Sequence, residues 1–206
     1  MIVFGLTGSI GMGKTKAANA LAGMGFPVFE ADAAAHRLIA DDEQTMAKVA
    51  VAFPDCTANG VINRRRLGDA VYGDSDALNR LEAILHPQVR TAAGKHLALA
   101  AAEAAPLAVL EMPLLFETNA HEECDVVAVV TSSEAVQSRR VLNRPGMTPA
   151  RFAFMLSRQM PDAEKRRRAD YLVDTGSGIP HMLVQLEEIV KSLIPGDTNF
   201  DARSRP

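Results

Sequence analysis

A glycine-rich segment near the N-terminus carries the strongest chemical pattern in the sequence. Residues 8–15 read Gly-Ser-Ile-Gly-Met-Gly-Lys-Thr, which matches GxxxxGK[ST] after an apolar run and before a helical pattern. Glycines let successive backbone amides converge on a phosphate, and the start of a helix adds positive potential there. Lys14 would reach the transferred phosphate, and the Thr15 hydroxyl would bind Mg²⁺. The pattern predicts an ATP site; the alternative is a glycine-rich turn with a surface lysine.

Two carboxylates follow apolar runs that are typical of strands. Asp32 comes after the run at 27–29 and is a candidate to accept a hydroxyl proton beside the γ-phosphate. Its alternative role is to cap the helix predicted over 33–39. Glu111 ends the run that starts at Leu107, where a Walker-B carboxylate would organise the metal. Its alternative role is that of a solvated carboxylate at a strand end.

Two arginines share one face of a later predicted helix. Arg140 and Arg144 are four residues apart and precede a Pro-Gly break at 145–146. This arrangement suits a lid that closes over ATP, although the residues alone favour a solvated amphipathic helix. The basic run at 165–168 is typical of a solvated cluster, with phosphate binding as its alternative.

Five short apolar runs predict the strands that position these groups. They are residues 2–6, 27–29, 107–110, 125–130 and 171–173. Each is apolar on both faces, and long stretches separate most of them, which favours a parallel α/β sheet with crossover helices. Between the strands, the patterns predict a helical insert over 33–106, a helical pair over 133–159 and a closing helix over 179–194. Within the insert, Pro87 is predicted to open a long helix, because proline suits the first helical position.

The composition excludes several classes of protein. With 206 residues and 48% hydrophobic content, the chain can form a core without disulfides or a structural metal. A net charge of −3 provides no electrostatic reason to bind nucleic acid or an anionic membrane. Cys56 and Cys124 fall in no metal or disulfide pattern, the five histidines have no metal-ligand spacing, and no apolar run reaches about 18 residues. We therefore expect a cytoplasmic protein with no nucleic-acid or membrane partner.

The ordered set of motifs resembles that of bacterial dephospho-coenzyme A kinases over residues 1 to about 194. The matching positions are 6–15, Asp32 with His36, 81–87, 113–117, Gln137, Arg140, Arg144, 159–160, Lys165, 169–171 and 173–174. The resemblance implies transfer of the ATP γ-phosphate to the ribose 3′-hydroxyl of dephospho-coenzyme A, the last step of coenzyme A synthesis. It implies a P-loop kinase fold, in which a parallel five-stranded sheet is flanked by helices. Its expected parts are a nucleotide-binding core (1–32, 107–136 and 168–194), a helical acceptor domain (33–106), a helical lid (137–167) and a flexible tail (195–206).

The resemblance also implies roles for individual residues. The expected ATP-binding set is Gly8, Gly11, Met12, Gly13, Lys14, Thr15, Lys16, Arg140 and Arg144. The expected catalytic set is Lys14, Asp32 as the base, and Arg140; the expected substrate-binding set is Asp32, Arg64, His86, Leu115 and Lys165. The implied cofactor is Mg²⁺, held by Thr15 and indirectly by Glu111, and the implied partners are ATP and dephospho-coenzyme A, bound by a monomer.

Two positions depart from the pattern of this family. Lys16 stands where a second hydroxyl residue is common after the P-loop, which alters the expected contacts near the α-phosphate. Thr175 replaces the usual Asn after the last strand, which puts a turn-stabilising side-chain bond in doubt.

Two other functions are weighed against this expectation. A shikimate- or gluconate-type kinase also pairs a P-loop with an Asp after the second strand, but the long insert at 33–106 suits a longer acceptor. A nucleotide-dependent switch would need DxxG and NKxD segments, and the sequence contains neither.

Overall fold

The computed structural model describes residues 1–58 and 61–195 and forms two compact units. The first unit is Met1–Glu30 with Leu97–Pro206, and the second is Ala31–His96. The tail expected from residue 195 lies, from residue 196 onward, outside the described residues. No helix in the described part of the chain is both long and apolar enough to cross a membrane.

The strands confirm the predicted sheet. In chain order they are β1 (Ile2–Thr7), β2 (Val28–Glu30), β3 (Thr57–Ala58), β4 (Val61–Ile62), β5 (Leu107–Glu111), β6 (Val126–Thr131) and β7 (Tyr171–Asp174). Five of them form one parallel sheet in the order β2-β5-β1-β6-β7. Because β1 is central, the loop that leaves its carboxyl end starts in the middle of the sheet edge where the ends of parallel strands meet.

Nine α-helices fall in the described residues. They are α1 (Lys14–Gly23), α2 (Ala31–Asp41), α3 (Glu43–Ala52), α4 (Arg64–Val71), α5 (Ser75–Ala102), α6 (Glu134–Leu142), α7 (Pro149–Ser157), α8 (Asp162–Arg168) and α9 (Ile179–Leu193). The predicted helical pair and closing helix are therefore confirmed as α6, α7 and α9. Ser133 and Thr148 cap the pair, since each side chain accepts a hydrogen bond from the first turn of its helix.

The core of the first unit fixes both ends of the glycine-rich loop. Leu21 of α1 and Leu186 of α9 are fully buried in one cluster with Phe4 and Leu6 of β1. Each such side chain stabilises the fold by roughly 1.5–3 kcal/mol through its removal from water. This packing holds the end of β1 and the start of α1 in place. The short loop between them is therefore constrained at both ends.

Two features of the second unit differ from the prediction. The expected all-helical insert contains an antiparallel pair, β3 and β4, with Thr57 opposite Ile62. The Asn-Gly dipeptide at 59–60, which lies outside the described residues, is a sequence typical of hairpin turns.

The prediction that Pro87 opens a helix is wrong, because Pro87 lies inside α5. The helix begins twelve residues earlier at Ser75, where the Asp74 carboxylate accepts a hydrogen bond from the Ala77 amide at 2.9 Å. Ala77 and Ala93 are buried on either side of the proline, so tertiary packing offsets the hydrogen bond that the proline removes.

Candidate active site

The glycine-rich segment at 8–15 connects the end of β1 to the first turn of α1 and lies close against its neighbours. Gly11 has φ 79° and Gly13 has φ 95°, both in the left-handed region that favours glycine. A Cβ atom on Gly11 would lie 2.5 Å from the Val141 Cγ2 atom of α6. Glycine is therefore required at Gly11 both by backbone conformation and by this close approach.

The charged and polar side chains of the loop differ in exposure. Lys14 is half-buried, and its Nζ donates a hydrogen bond to the Gly8 carbonyl at 2.8 Å. Thr15 and Lys16 are exposed, whereas the Met12 side chain is only 2% exposed. The side chains of Lys14, Thr15 and Lys16 are therefore accessible to a ligand, whereas that of Met12 is not.

The helix pair α6 and α7 is attached to this loop at Ile10. The Gln137 side-chain amide donates to the Ile10 carbonyl at 2.8 Å, and the Gln159 Oε1 accepts from the Ile10 amide at 2.9 Å. The Ile10 side chain is buried with Val141 and Phe152. The predicted lid segment therefore shares hydrogen bonds and a small core with the P-loop. Both glutamines belong to the matched motifs, but sequence reasoning assigned them no role.

A cavity of about 460 Å³ opens beside the loop. Its lining consists of Gly11, Gly13, Lys14, Thr15, Lys16, Arg140, Arg144, Thr175, Gly178, Ile179 and Met182. The structure thus brings the two arginines of α6 and of the turn after it to the same cavity as the P-loop lysine. This concentration of positive charge suits a polyphosphate. Thr175, Gly178, Ile179 and Met182 were not predicted to line it.

The Arg140 guanidinium is held by both the side chain and the backbone carbonyl of Thr175. Its Nη1 donates to the Thr175 Oγ1 at 3.0 Å, and its Nη2 donates to the Thr175 carbonyl at 2.7 Å. A longer contact of 3.4 Å joins Nη1 to the Gly11 carbonyl. The guanidinium is therefore oriented between the P-loop and the segment that follows β7.

The turn after β7 is stabilised by Asp174 rather than by the residue at 175. The Asp174 carboxylate accepts from the Gly176 amide at 2.9 Å and from the Ser177 hydroxyl at 2.5 Å. The Ser177 hydroxyl, followed by the Gly176 amide, holds the pKa of the Asp174 carboxyl below its usual range. The turn therefore does not need a side-chain bond from residue 175. The Thr175 side chain contacts Arg140 instead.

Sequence comparison assigns the chain to a family. The model of the dephospho-CoA kinase family matches residues 2–181. The chain belongs to the dephospho-CoA kinase family. A dephospho-CoA kinase of Rhodopseudomonas palustris is 46% identical over 190 residues, which cover 92% of this chain and 94% of that protein. One of Mesorhizobium japonicum is 46% identical over 193 residues, covering 94% of this chain and 97% of that protein.

Solved structures share the fold of this chain. A Thermus thermophilus protein has a TM-score of 0.81 at 32% identity and covers 95% of this chain and 98% of its own. The dephospho-CoA kinase of Campylobacter jejuni has a TM-score of 0.61 at 19% identity, covering 94% and 98% of the two chains, and shows a shared fold. A shikimate kinase of Acinetobacter baumannii, at 16% identity, covers 96% of each chain with a TM-score of 0.50 and likewise shows the fold alone.

Lys165, which the family resemblance places in substrate binding, is fully buried in the first unit. Its Nζ lies 2.9 Å from the Glu117 Oε1 and donates to the Pro113 carbonyl at 2.9 Å. Glu117 also accepts from the Met160 amide at 2.7 Å. Leu115, between the two partners of Lys165, is fully buried as well. The ammonium and the leucine side chain therefore support the loop at 113–117 from inside the protein.

Glu111 is the last residue of β5 and lies beside the carboxyl ends of β1 and β2. It lies opposite Leu6 of β1 and Glu30 of β2 in the sheet. The residue is only 4% exposed, so the alternative of a solvated carboxylate is wrong. Within residues 1–58 and 61–195, no group of three or more His, Cys, Asp or Glu side chains could hold a metal ion. The hydroxyl of Thr15 and the carboxylate of Glu111 are the hard oxygen donors that suit Mg²⁺ when a nucleotide supplies further ligands.

Asp32 and Arg64 belong to the second unit together with His36. Asp32 is exposed and is the second residue of α2, so it lies inside the first turn and the helix-cap alternative is wrong. Arg64 opens α4 and is exposed. Desolvation and then the Arg64 charge lower the pKa of His36, while Asp32 acts to raise it. The charges of Asp32 and Arg64 thus both act on the pKa of His36. His86 is an exposed residue of α5.

Proposed function

We propose that this chain transfers the γ-phosphate of ATP to the ribose 3′-hydroxyl of dephospho-coenzyme A, giving coenzyme A and ADP. Membership of the dephospho-CoA kinase family over residues 2–181 supports the substrate and the reaction. The observation that carries the proposal is the cavity in which Lys14, Arg140 and Arg144 meet around the P-loop. In this reaction the 3′-oxygen forms a bond to the γ-phosphorus, and the bond from that phosphorus to the β,γ-bridging oxygen breaks.

The proposed ATP site uses backbone groups on one side and cations on the other. Backbone amides between Gly8 and Gly13 would bind the phosphates, with Met12 contributing its backbone only. Lys14 would move from its own loop carbonyl to the transferring phosphoryl group, where fixed positive charge stabilises the developing negative charge. Lys16, Arg140 and Arg144 would bind the remaining phosphate oxygens.

The proposed cofactor is Mg²⁺. Thr15 would hold it directly through its exposed hydroxyl, and Glu111 would act indirectly from the end of β5. When bound, Mg²⁺ would neutralise part of the negative charge of the ATP phosphates. The oxygen chemistry of the two side chains supports this assignment.

Asp32 is the proposed general base for the 3′-hydroxyl. Its exposure leaves the carboxylate accessible, and its place directly after β2 is the position at which the sequence pattern predicts it. Arg64 and His86 are the proposed acceptor-binding side chains of the second unit. Lys165 and Leu115 would act on the acceptor through the loop at 113–117 that they support.

The remaining parts of the proposal concern location and assembly. We expect a cytoplasmic monomer whose partners are ATP and dephospho-coenzyme A. Cys56 and Cys124 are free thiols, which is typical of a reducing compartment. The net charge of −3 supports the absence of a nucleic-acid or membrane partner.

A coupled ADP-release assay over a panel of acceptors tests the function. The panel contains dephospho-coenzyme A, shikimate, gluconate, a nucleoside monophosphate and a reaction without acceptor. We expect ADP release that depends on dephospho-coenzyme A, with product coenzyme A identified by mass. Equal or higher kcat/KM for any other acceptor would contradict the proposed substrate, and acceptor-independent ADP release would contradict a metabolite kinase.

A further inference from the structure

A buried hydroxyl group lies between the P-loop and Arg140. Thr175 is only 5% exposed and follows β7 directly. Its Oγ1 donates to the Met12 carbonyl at 2.6 Å and accepts from the Arg140 Nη1 at 3.0 Å. The same side-chain oxygen therefore contacts a backbone group of the phosphate loop and a cation of the nucleotide cavity.

The Met12 carbonyl determines which way this hydroxyl faces. A threonine hydroxyl has one proton to donate and lone pairs with which to accept. The Thr131 carbonyl also lies within reach of the Oγ1, at 3.2 Å, but the bond to Met12 is much the shorter at 2.6 Å. With its proton directed at the P-loop, the oxygen presents lone pairs to Arg140, which can only donate.

The P-loop leaves no room for a larger group between it and Thr175. A Cβ atom built on Gly13 would lie 3.0 Å from the Thr175 Oγ1. The loop backbone therefore packs directly against the threonine side chain, and Thr175 is held from two sides. A side chain fixed in this way can hold the flexible arginine in one orientation before a ligand arrives.

We propose that Thr175 is a positioning residue for ATP binding. It holds the Arg140 guanidinium in its binding orientation, in the cavity beside the P-loop, before ATP binds. An arginine that is already ordered loses less conformational freedom when it binds a phosphate. This inference rests on the proposed function, because it takes Arg140 to act on the nucleotide. It assigns a role to a residue that departs from the usual pattern of the family.

Thr175→Val tests the hydroxyl alone, because valine has the same shape and leaves the backbone carbonyl bond to Arg140 in place. We expect roughly tenfold weaker binding of a non-hydrolysable ATP analogue, the effect of losing one hydrogen bond to a charged group. Thr175→Ser retains the hydroxyl and should restore the affinity of the wild type. Ser192→Ala is the control, since it removes a hydroxyl that donates to the Ile189 carbonyl at 2.7 Å near the far end of α9. The control should leave analogue binding unchanged.

A double-mutant cycle with Arg140→Met separates positioning from a general structural role. If Thr175 acts through Arg140, Thr175→Val should weaken analogue binding in the wild-type background and cause no further loss in the Arg140→Met background. The same loss in both backgrounds, or none in the wild-type background, would overturn the inference. If Thr175→Val does not fold, Thr175→Ala removes the same hydroxyl with a smaller side chain and enters the cycle in its place.

Binding of the analogue is measured without acceptor, so this test is independent of the acceptor assay. Wild-type analogue affinity in Arg140→Met would overturn the inference whatever the acceptor. Failure to phosphorylate dephospho-coenzyme A, with the coupling between Thr175 and Arg140 intact, would contradict the proposed function and leave the inference standing.

Discussion

The buried ion pair between Lys165 and Glu117 provides a prediction whose size follows from the structure. Lys165 is 0% exposed and Glu117 is 18% exposed, and both polar contacts of the ammonium are at 2.9 Å. Lys165→Met keeps an apolar chain of similar length but leaves the Glu117 carboxylate without its cation. Breaking a buried pair costs about 3–5 kcal/mol. Because the Glu117 Oε1 keeps its hydrogen bond from the Met160 amide, we expect the lower end, about 3 kcal/mol.

This loss should be visible in thermal unfolding of the variant. In a chain of this size, about 3 kcal/mol corresponds to a decrease in Tm of roughly 6–12 °C, measured by circular dichroism or calorimetry. The second variant, Lys165→Met with Glu117→Gln, also removes the unpaired negative charge of Glu117 and keeps an oxygen that accepts from the Met160 amide. It should be more stable than Lys165→Met alone, since the main cost is the uncompensated carboxylate.

Arg166→Met is the matched control. Arg166 neighbours Lys165 but is 49% exposed, and its contact with Asp162 is 4.0 Å long. An exposed pair of this kind contributes less than about 1 kcal/mol. A Tm for Lys165→Met as high as that of Arg166→Met would refute the reasoning, as would a double variant no more stable than the single one.

Four further predictions concern the site and its surroundings. Lys14→Ala should fold normally and lose roughly 10²-fold or more in kcat, the scale of one electrostatic stabiliser; a kcat near that of the wild type would contradict the P-loop assignment. Asp32→Asn should melt like the wild type and still bind ATP, but lose on the order of 10²–10⁴ in kcat, nearer the lower end because the transition state is loose. A preserved kcat would mean that Asp32 is not the base. Hydrogen exchange across residues 137–160 should slow when an ATP analogue and acceptor are both added, and unchanged exchange at saturation would argue against a lid. Ser177→Ala should raise the pKa of Asp174 towards its ordinary value, as followed by carboxyl NMR titration. Because the folded pKa is lowered, the stability it contributes is present above the ordinary pKa of Asp and is lost as pH falls through the folded value.

The sequence alone was sufficient for features that depend on neighbouring residues. The P-loop could be predicted because the glycines, Lys14 and Thr15 must follow a strand and open a helix within a few residues. The central strands β1, β5 and β6 could be predicted because strands buried on both faces are apolar at nearly every position. The edge strands β2 and β7 have the same apolar pattern although they are only partly buried. The helix pair α6 and α7 was predictable from its break at 145–146. In each case the physical cause acts over a short stretch of chain, so the pattern of residues carries it.

Tertiary structure decided the features that depend on contacts between distant residues. Pro87 has the local signature of a helix start, yet buried neighbours on both sides keep α5 continuous through it. Lys165 lies in a basic run that is typical of a solvated cluster, but its ammonium is buried against Glu117 and Pro113. Thr175 meets Met12 and Arg140 only because β7 ends beside the P-loop and α6. Residue type and spacing along the chain therefore determined which chemistry this protein can perform, whereas packing decided which side chains are buried, paired and preset for it.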